Sequence, residues 1–258
     1  PAPVSALLHA VAVVKAGAFG IVRMIYDVYG IGTVADLGLG LPLAALASVT
    51  ILYGSVRALM QTDLKKRLAY STVSQVSYII LGASLIGPYA VIGGLVHLVH
   101  QGIMKITLFM CAGALANRMG IKAIADLDGA GRLMPVTMAA FSVGALGMIG
   151  LPPVAGFISK WYLGIGALQS DAAWVVAVLA GSSLLNAAYF LPLLYRAWLL
   201  PPPADRPAIR ELATTRDRML ILPAAVTALV SLGAGIFASL PLSPLAWVTL
   251  IAEGGYLR

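Results

Sequence analysis

Apolar stretches long enough to cross a bilayer follow one another along this chain with little polar sequence between them. A hydrocarbon core of ~30 Å takes about 20 apolar residues in a helix. Seven stretches meet that length, at residues 4–29, 38–61, 68–85, 89–116, 134–168, 172–198 and 219–240. Charged residues make up 10% of the sequence, against about 25% in a soluble domain. These features predict an all-α, polytopic membrane protein of about seven transmembrane helices, embedded in a lipid bilayer.

The fifth stretch is too long for one straight span, and Leu151-Pro-Pro-Val-Ala-Gly156 interrupts it. Proline removes a backbone donor and clashes with the preceding turn. Carbonyls freed in this way inside a membrane must be satisfied by protein or water. A break into two half-helices near Pro152 and Pro153 is therefore expected, and half-helix ends present partial charges to an ion.

The loops predict an orientation. Arg57, Lys65, Lys66, Arg67, Arg118, Lys122, Arg132, Arg196, Arg206, Arg210, Arg216 and Arg218 fall on one face of the membrane. Only Arg23 and Arg258 fall on the other. The positive-inside rule makes the basic loops cytoplasmic. The net charge of +7 then belongs to helix ends, and no nucleic-acid partner is expected. The chain enters a membrane segment almost at once after Pro1, so it reads as the C-terminal part of a longer protein. Cys111 allows neither an internal disulfide nor a cysteine-rich metal site, and reads as a small packing residue. The proline-rich stretch 201–207 reads as a stiff loop, and residues 244–256 are compatible with a short interfacial segment.

Three lysines lie within the apolar stretches: Lys15, Lys105 and Lys160. An ammonium ion in hydrocarbon costs ~3 kcal/mol on insertion scales, so such residues face protein or a wet cavity and point to an ion pathway. His97, Gln101 and Lys105 follow i, i+4, i+8 along one helical stripe, about 12 Å from end to end at 1.5 Å per residue. His100 stands one turn from His97. Histidine exchanges protons near neutral pH, and lysine can join only where burial weakens its hold on the proton. The bland alternatives are a structural ion pair for Lys105 and snorkelling to the interface for Lys160. Lys15 sits too deep to snorkel easily. His9 lies six residues before it, which is poor spacing for one helix face. Tyr70, Ser71, Ser74 and Gln75 could support Lys105 with hydroxyls and water, or serve as glue between helices. Asp63 reads as a helix start. His97-x-x-His100 lacks a third ligand, so no metal site is expected. No cofactor is expected either, since there is no Walker motif, dinucleotide fingerprint or nucleophile constellation.

Four motifs carry a resemblance. They are Pro3-Val-Ser-Ala-Leu-Leu-His-Ala with Lys15-Ala-Gly, Gln61-Thr-Asp-Leu-Lys-Lys-Arg-Leu-Ala-Tyr-Ser-Thr-Val-Ser-Gln75, His97-x7-Lys105-x-x-Leu-Phe-x-x-x-Gly113, and Gly150-Leu-Pro-Pro-x-x-Gly-Phe-x-Ser-Lys160. Over nearly its whole length the chain resembles the antiporter-like membrane subunits of respiratory complex I, membrane-bound hydrogenases and Mrp-type multisubunit cation/proton antiporters, with the Mrp type looking nearest. The resemblance implies helices eight to fourteen of a fourteen-helix fold, as a single membrane domain. Residues 1–36 would close a first inverted repeat, 37–200 would form the second, and 201–258 a loop and final helix. It places the family's lysines on Lys15, Lys105 and Lys160 and its histidines on His9 and His97. The family often has a second His where this chain has Gln101, with His100 standing beside it instead. A further glutamate and lysine of the family would lie upstream of Pro1.

The implied function is translocation of protons, or of protons against sodium, across a bacterial cytoplasmic membrane. Energy would come from a partner redox module or an ion gradient, within a complex of several membrane subunits. The chain itself carries no catalytic chemistry. The alternatives are a non-conducting structural subunit, against which the retained lysines argue, and an unrelated solute transporter, for which no converging polar site is evident.

Overall fold

A computed structural model describes residues 12–204, 211–212 and 214–255. They are helical apart from loops and one isolated β-bridge between Asp63 and Ala123. The first predicted stretch is α1 (Val13–Arg23), which loosens into a π-helical stretch, Met24–Tyr29. The chain turns at Gly30, where φ is +80°, a value glycine adopts without a Cβ clash. A short helix the sequence did not announce, α2 (Ile31–Asp36), follows.

The next four predicted spans appear as α3 (Gly40–Leu59), α4 (Leu64–Ser84), α5 (Pro88–Met119) and a divided fifth. Helix α4 starts earlier than the apolar pattern suggested because Asp63 caps it, accepting a hydrogen bond from the Lys66 N–H at 2.8 Å. Helix α5 ends at Gly120, in the left-handed conformation that commonly closes helices. A single turn, α6 (Ala130–Leu133), then leads into the fifth span. That span consists of α7 (Pro135–Ile149) and α8 (Ala155–Gln169), so the predicted break is present. The sixth and seventh are α9 (Trp174–Leu199) and α10 (Thr215–Ile236). Thr214 and Asp217 form a reciprocal cap at the start of α10. The tail adds α11 (Pro244–Gly255).

Among the described residues, α3, α5, α9 and α10 are each long and apolar enough to cross a membrane by themselves. Helix α4 opens with three basic residues and carries a run of hydroxyls, and α7 and α8 share one span. The architecture is that of an all-α polytopic membrane protein.

Helix α5 is the axis of the bundle, packed against α4, α7, α8, α10 and α11. Helix α3 lies against α4 and α9, and α1 lies against α4. Small residues let the backbones close up around the break: a Cβ on Gly156 would overlap the Gly147 carbonyl, and one on Gly235 of α10 would overlap the Pro153 carbonyl. Two loop devices brace one face. The buried guanidinium of Arg67 donates to the carbonyls of Leu59, Gln61 and Tyr189 at 3.1, 2.6 and 3.0 Å. The Glu211 carboxylate accepts from the Val136 and Thr137 N–H groups at 2.9 and 2.7 Å, and so caps the start of α7.

Candidate functional site

The break supplies the acceptors around which one end of the site is built. Gly150 closes α7 with φ +93°, and its N–H and that of Leu151 both take the Leu146 carbonyl, at 3.0 and 3.1 Å. The carbonyls of Met148 and Ile149 are left pointing past the helix end, where the partial charge is negative. Lys160, on α8, turns back across the break and donates to both, at 3.0 and 2.8 Å. It also donates to Ser183 of α9 at 3.0 Å, and its Nζ lies 5.5 Å from the centre of the Tyr78 ring. Thus Lys160 does not snorkel outward. Its counter-charge is the C-terminal end of the preceding half-helix.

Lys105 is fully buried at the middle of α5. It donates to the Leu68 carbonyl at 3.0 Å and to the Ser71 hydroxyl, both on α4. Lys15, on α1, is also buried, and donates to the Leu98 carbonyl of α5 at 2.5 Å. Among the described residues the ion pairs are Arg23–Asp27, Arg118–Asp217 and Arg196–Asp128. None of these involves the three lysines, and among the described residues Lys105 has a carbonyl and a hydroxyl as partners in place of a carboxylate.

His97 connects α5 to the second half-helix. Its Nδ1 is 2.8 Å from the Ser159 hydroxyl, which in turn donates to the Gly156 carbonyl at 3.1 Å. Its ring centre is 5.1 Å from that of Tyr78. His100, Gln101 and Gln75 are buried alongside. Among the described residues, no well-formed hydrogen bond reaches His97 Nε2, the His100 ring nitrogens or the amide atoms of Gln75 and Gln101, although the backbones of Gln75 and Ala155 approach the His97 and His100 rings.

The other expected residues divide. Ser71 accepts from Lys105. Ser74 instead joins a hydroxyl cluster, 2.8 Å from Ser55, which lies 3.4 Å from Ser182. Tyr70 faces away from the lysines, with the Arg57 guanidinium 5.4 Å from its ring centre. It serves the α3–α4 contact rather than Lys105. His9 lies outside the described residues.

Several polar groups beside the lysines were not singled out in the sequence. Tyr78 donates to Ser182 at 2.7 Å and brings its ring between Lys160 and His97. Asn186 and Tyr189, both fully buried on α9, stand next to the break. Asn186 donates to the Met148 carbonyl at 3.0 Å, and Tyr189 donates to the Asn186 side-chain oxygen at 2.5 Å. Asn186 was the one residue with a sequence signal, as an amide inside an otherwise apolar span. Ser159 was visible within the motif ending at Lys160 but carried no separate mark.

Comparison with known proteins shows what the chain as a whole is similar to. Residues 1–186 match the family described as "NADH:quinone oxidoreductase/Mrp antiporter, TM". The chain is 40% identical over 239 residues to NADH-quinone oxidoreductase subunit N of Desulforudis audaxviator (strain MP104C), covering 92% of this chain and 47% of that relative. Its fold superposes on the Mrp complex from Dietzia sp. DQ12-45-1b with a TM-score of 0.80 at 25% identity, covering 92% of this chain and 51% of the other. On the membrane-bound sulfane sulfur reductase, an archaeal respiratory membrane complex, the TM-score is 0.83 at 25% identity, covering 100% and 50%. The chain therefore spans about half the length of these relatives. With its divided fifth span and this match over most of its length, the chain belongs to the NADH:quinone oxidoreductase/Mrp antiporter family of membrane subunits.

Proposed function

We propose that the chain moves protons, alone or in exchange for sodium, along a lateral row formed by Lys15, Lys105 and Lys160. His97, Gln101, His100 and Gln75 bridge the row together with water, and Tyr78 closes it beside Lys160. The observation that carries this reading is Lys105: a lysine with no exposed surface, in the middle of a membrane-spanning helix, held by a carbonyl and a hydroxyl and, among the described residues, by no carboxylate. Burying a charge without a counter-charge is costly, and an ionisable group kept at that cost inside a membrane is the mark of an ion path.

The buried side-chain atoms without protein partners support the wet part of the row. Buried polar groups are almost always satisfied, and where protein does not do so water does. Among the described residues, Gln75 of α4 and Gln101 of α5 carry such atoms beside His97 and His100. Like charges in this poorly solvated row repel, so protonating one lysine disfavours protonation of the next. A change at one end then propagates as a series of proton shifts.

The relatives named above are membrane subunits of multisubunit assemblies. We place this chain likewise among other membrane subunits, in a bacterial cytoplasmic membrane with its basic loops on the cytoplasmic side. Energy would come from a partner redox module or an existing ion gradient. The test is Lys105→Ala in the full-length protein within its complex, reconstituted in proteoliposomes. Loss of coupled ion movement with assembly intact is expected. Native transport in that variant would reduce the lysine to packing and leave a non-conducting structural subunit.

A further inference from the structure

Tyr78 is fully buried on α4, and its hydroxyl donates to Ser182 of α9 at 2.7 Å. Ser182 is tied in turn to α3, 3.4 Å from Ser55, which stands 2.8 Å from Ser74. From α5 the His97 ring packs against the Tyr78 ring, with centres 5.1 Å apart and planes tilted by 36°. The Tyr78 ring is thus held at its hydroxyl end by α9 and along its body by α5. The ammonium of Lys160 lies over that ring, 5.5 Å from its centre. Ser183, next to Ser182 on α9, accepts from the same ammonium at 3.0 Å. Two neighbouring serines therefore set the ring and the cation in register with each other. We propose that Tyr78 is a positioning residue whose ring face, held in place by the Ser182 hydroxyl, steadies the positive charge on Lys160. This rests on the reading of Lys160 as a proton-exchanging group.

The donor count shows that the ring acts by charge and not as a hydrogen-bond acceptor. An ammonium has three protons to give. Lys160 gives them to the Met148 and Ile149 carbonyls and to Ser183. None is left for Tyr78. What the ring offers is its quadrupole, negative over the face, which attracts a cation placed within about 6 Å of the centre and does so most strongly away from water. A neutral amine carries no net charge to meet that field, so the attraction favours the protonated lysine. The hydroxyl gives its own proton to Ser182, and the ring works without passing a proton along.

The titratable groups facing Lys160 are Tyr78 of α4 and His97 of α5. Helix α7 presents the two carbonyls, and α9 presents the Ser183 hydroxyl. Helix α10 meets the break through Gly235, which has no side chain. Among the described residues no carboxylate pairs with Lys160, so the ring face is not competing with a full negative charge.

The test uses the full-length protein in its complex, reconstituted in proteoliposomes, with coupled proton movement measured across a range of pH. Tyr78→Phe keeps the ring and removes its tether. It is expected to lower transport about fivefold, as the loss of one buried hydrogen bond does, and to leave the pH profile in place. Phenylalanine bearing one, two or three ring fluorines at this position then weakens the negative face step by step at nearly constant size. A lysine whose charged form is less favoured gives up its proton at lower pH. Each fluorine should therefore move the alkaline limb of the profile further down, to a total of about one pH unit. A purely structural role would not move it. A limb that stays put through the series overturns the proposal. So does complete loss of transport in Tyr78→Phe, which would make the hydroxyl a proton carrier. If Tyr78→Phe fails to assemble, tyrosine with one or two ring fluorines keeps the bond to Ser182 and decides by the same shift. Native transport in Lys160→Met sinks the reading of that lysine as a proton-exchanging group, and the role of Tyr78 with it.

Discussion

The ammonium of Lys160 lies 2.8 Å from the carbonyl oxygen of Ile149, across the interruption in its own span. One residue thus closes the break that makes its position possible. Replacing it with methionine keeps the volume and removes the donors. The Met148 carbonyl retains Asn186, but the Ile149 carbonyl loses the donor it has here. Lys160→Met is expected to cost about 1.5–3 kcal/mol, the range for hydrogen bonds to a charged group, and to abolish coupled transport. Unfolding in detergent and vesicle transport measure the two effects separately.

Among the described residues Lys15 makes a single hydrogen bond, to the main-chain carbonyl of Leu98, which is next to His97 in the chain. Lys15→Met is therefore expected to change stability less than Lys160→Met while still interrupting the row. Transport at the native rate in a stably folded Lys15→Met protein would remove Lys15 from the pathway.

Gly156 has no room for a side chain, because a Cβ there would overlap the Gly147 carbonyl. Gly156→Ala should push the two half-helices apart and destabilise the protein by about 1–3 kcal/mol, as overpacking does. Gly164, two turns further along α8, has nothing within 4 Å of its would-be Cβ. Gly164→Ala is the control and should leave the unfolding midpoint unchanged or raise it slightly.

Glu211 anchors a loop to the first turn of α7 through two N–H groups and the Thr137 hydroxyl. Glu211→Ala removes a cap and a negative charge from a helix N-terminus, at a cost of about 1–2 kcal/mol. Protease cleavage within the loop preceding α10 should become faster in that variant. Unchanged cleavage and unchanged unfolding would show that the cap is redundant.

Much of this was legible in the sequence because the membrane imposes simple rules. The spans follow from apolar length, the break from adjacent prolines in an overlong stretch, and the three lysines from their cost in hydrocarbon. Less legible was what each lysine would hold. Lys15, Lys105 and Lys160 all donate to main-chain carbonyls, and carbonyls leave no trace in residue identity. Tyr189 and Asn186 escaped notice because a lone tyrosine or asparagine in an apolar helix does not reveal which way it points. Tyr70 takes the second of the two roles open to it in the sequence, a contact between helices. It lies one residue before Ser71, so on a helix it faces about 100° away and meets Arg57 instead. The loosened end of α1 and the turn at Gly30 had no pattern to predict them from.

Helix α5 contains 32 residues, about 48 Å at 1.5 Å per residue, whereas the hydrocarbon it crosses is ~30 Å deep. A helix of that length must lean, or project beyond the oily layer at one end or both. His97 and Lys105 sit well inside both of its ends. The surplus turns therefore act as slack. If the surrounding lipid thins or thickens, the overhang can change while the polar middle of the helix keeps its depth, so this subunit should tolerate bilayers of differing thickness.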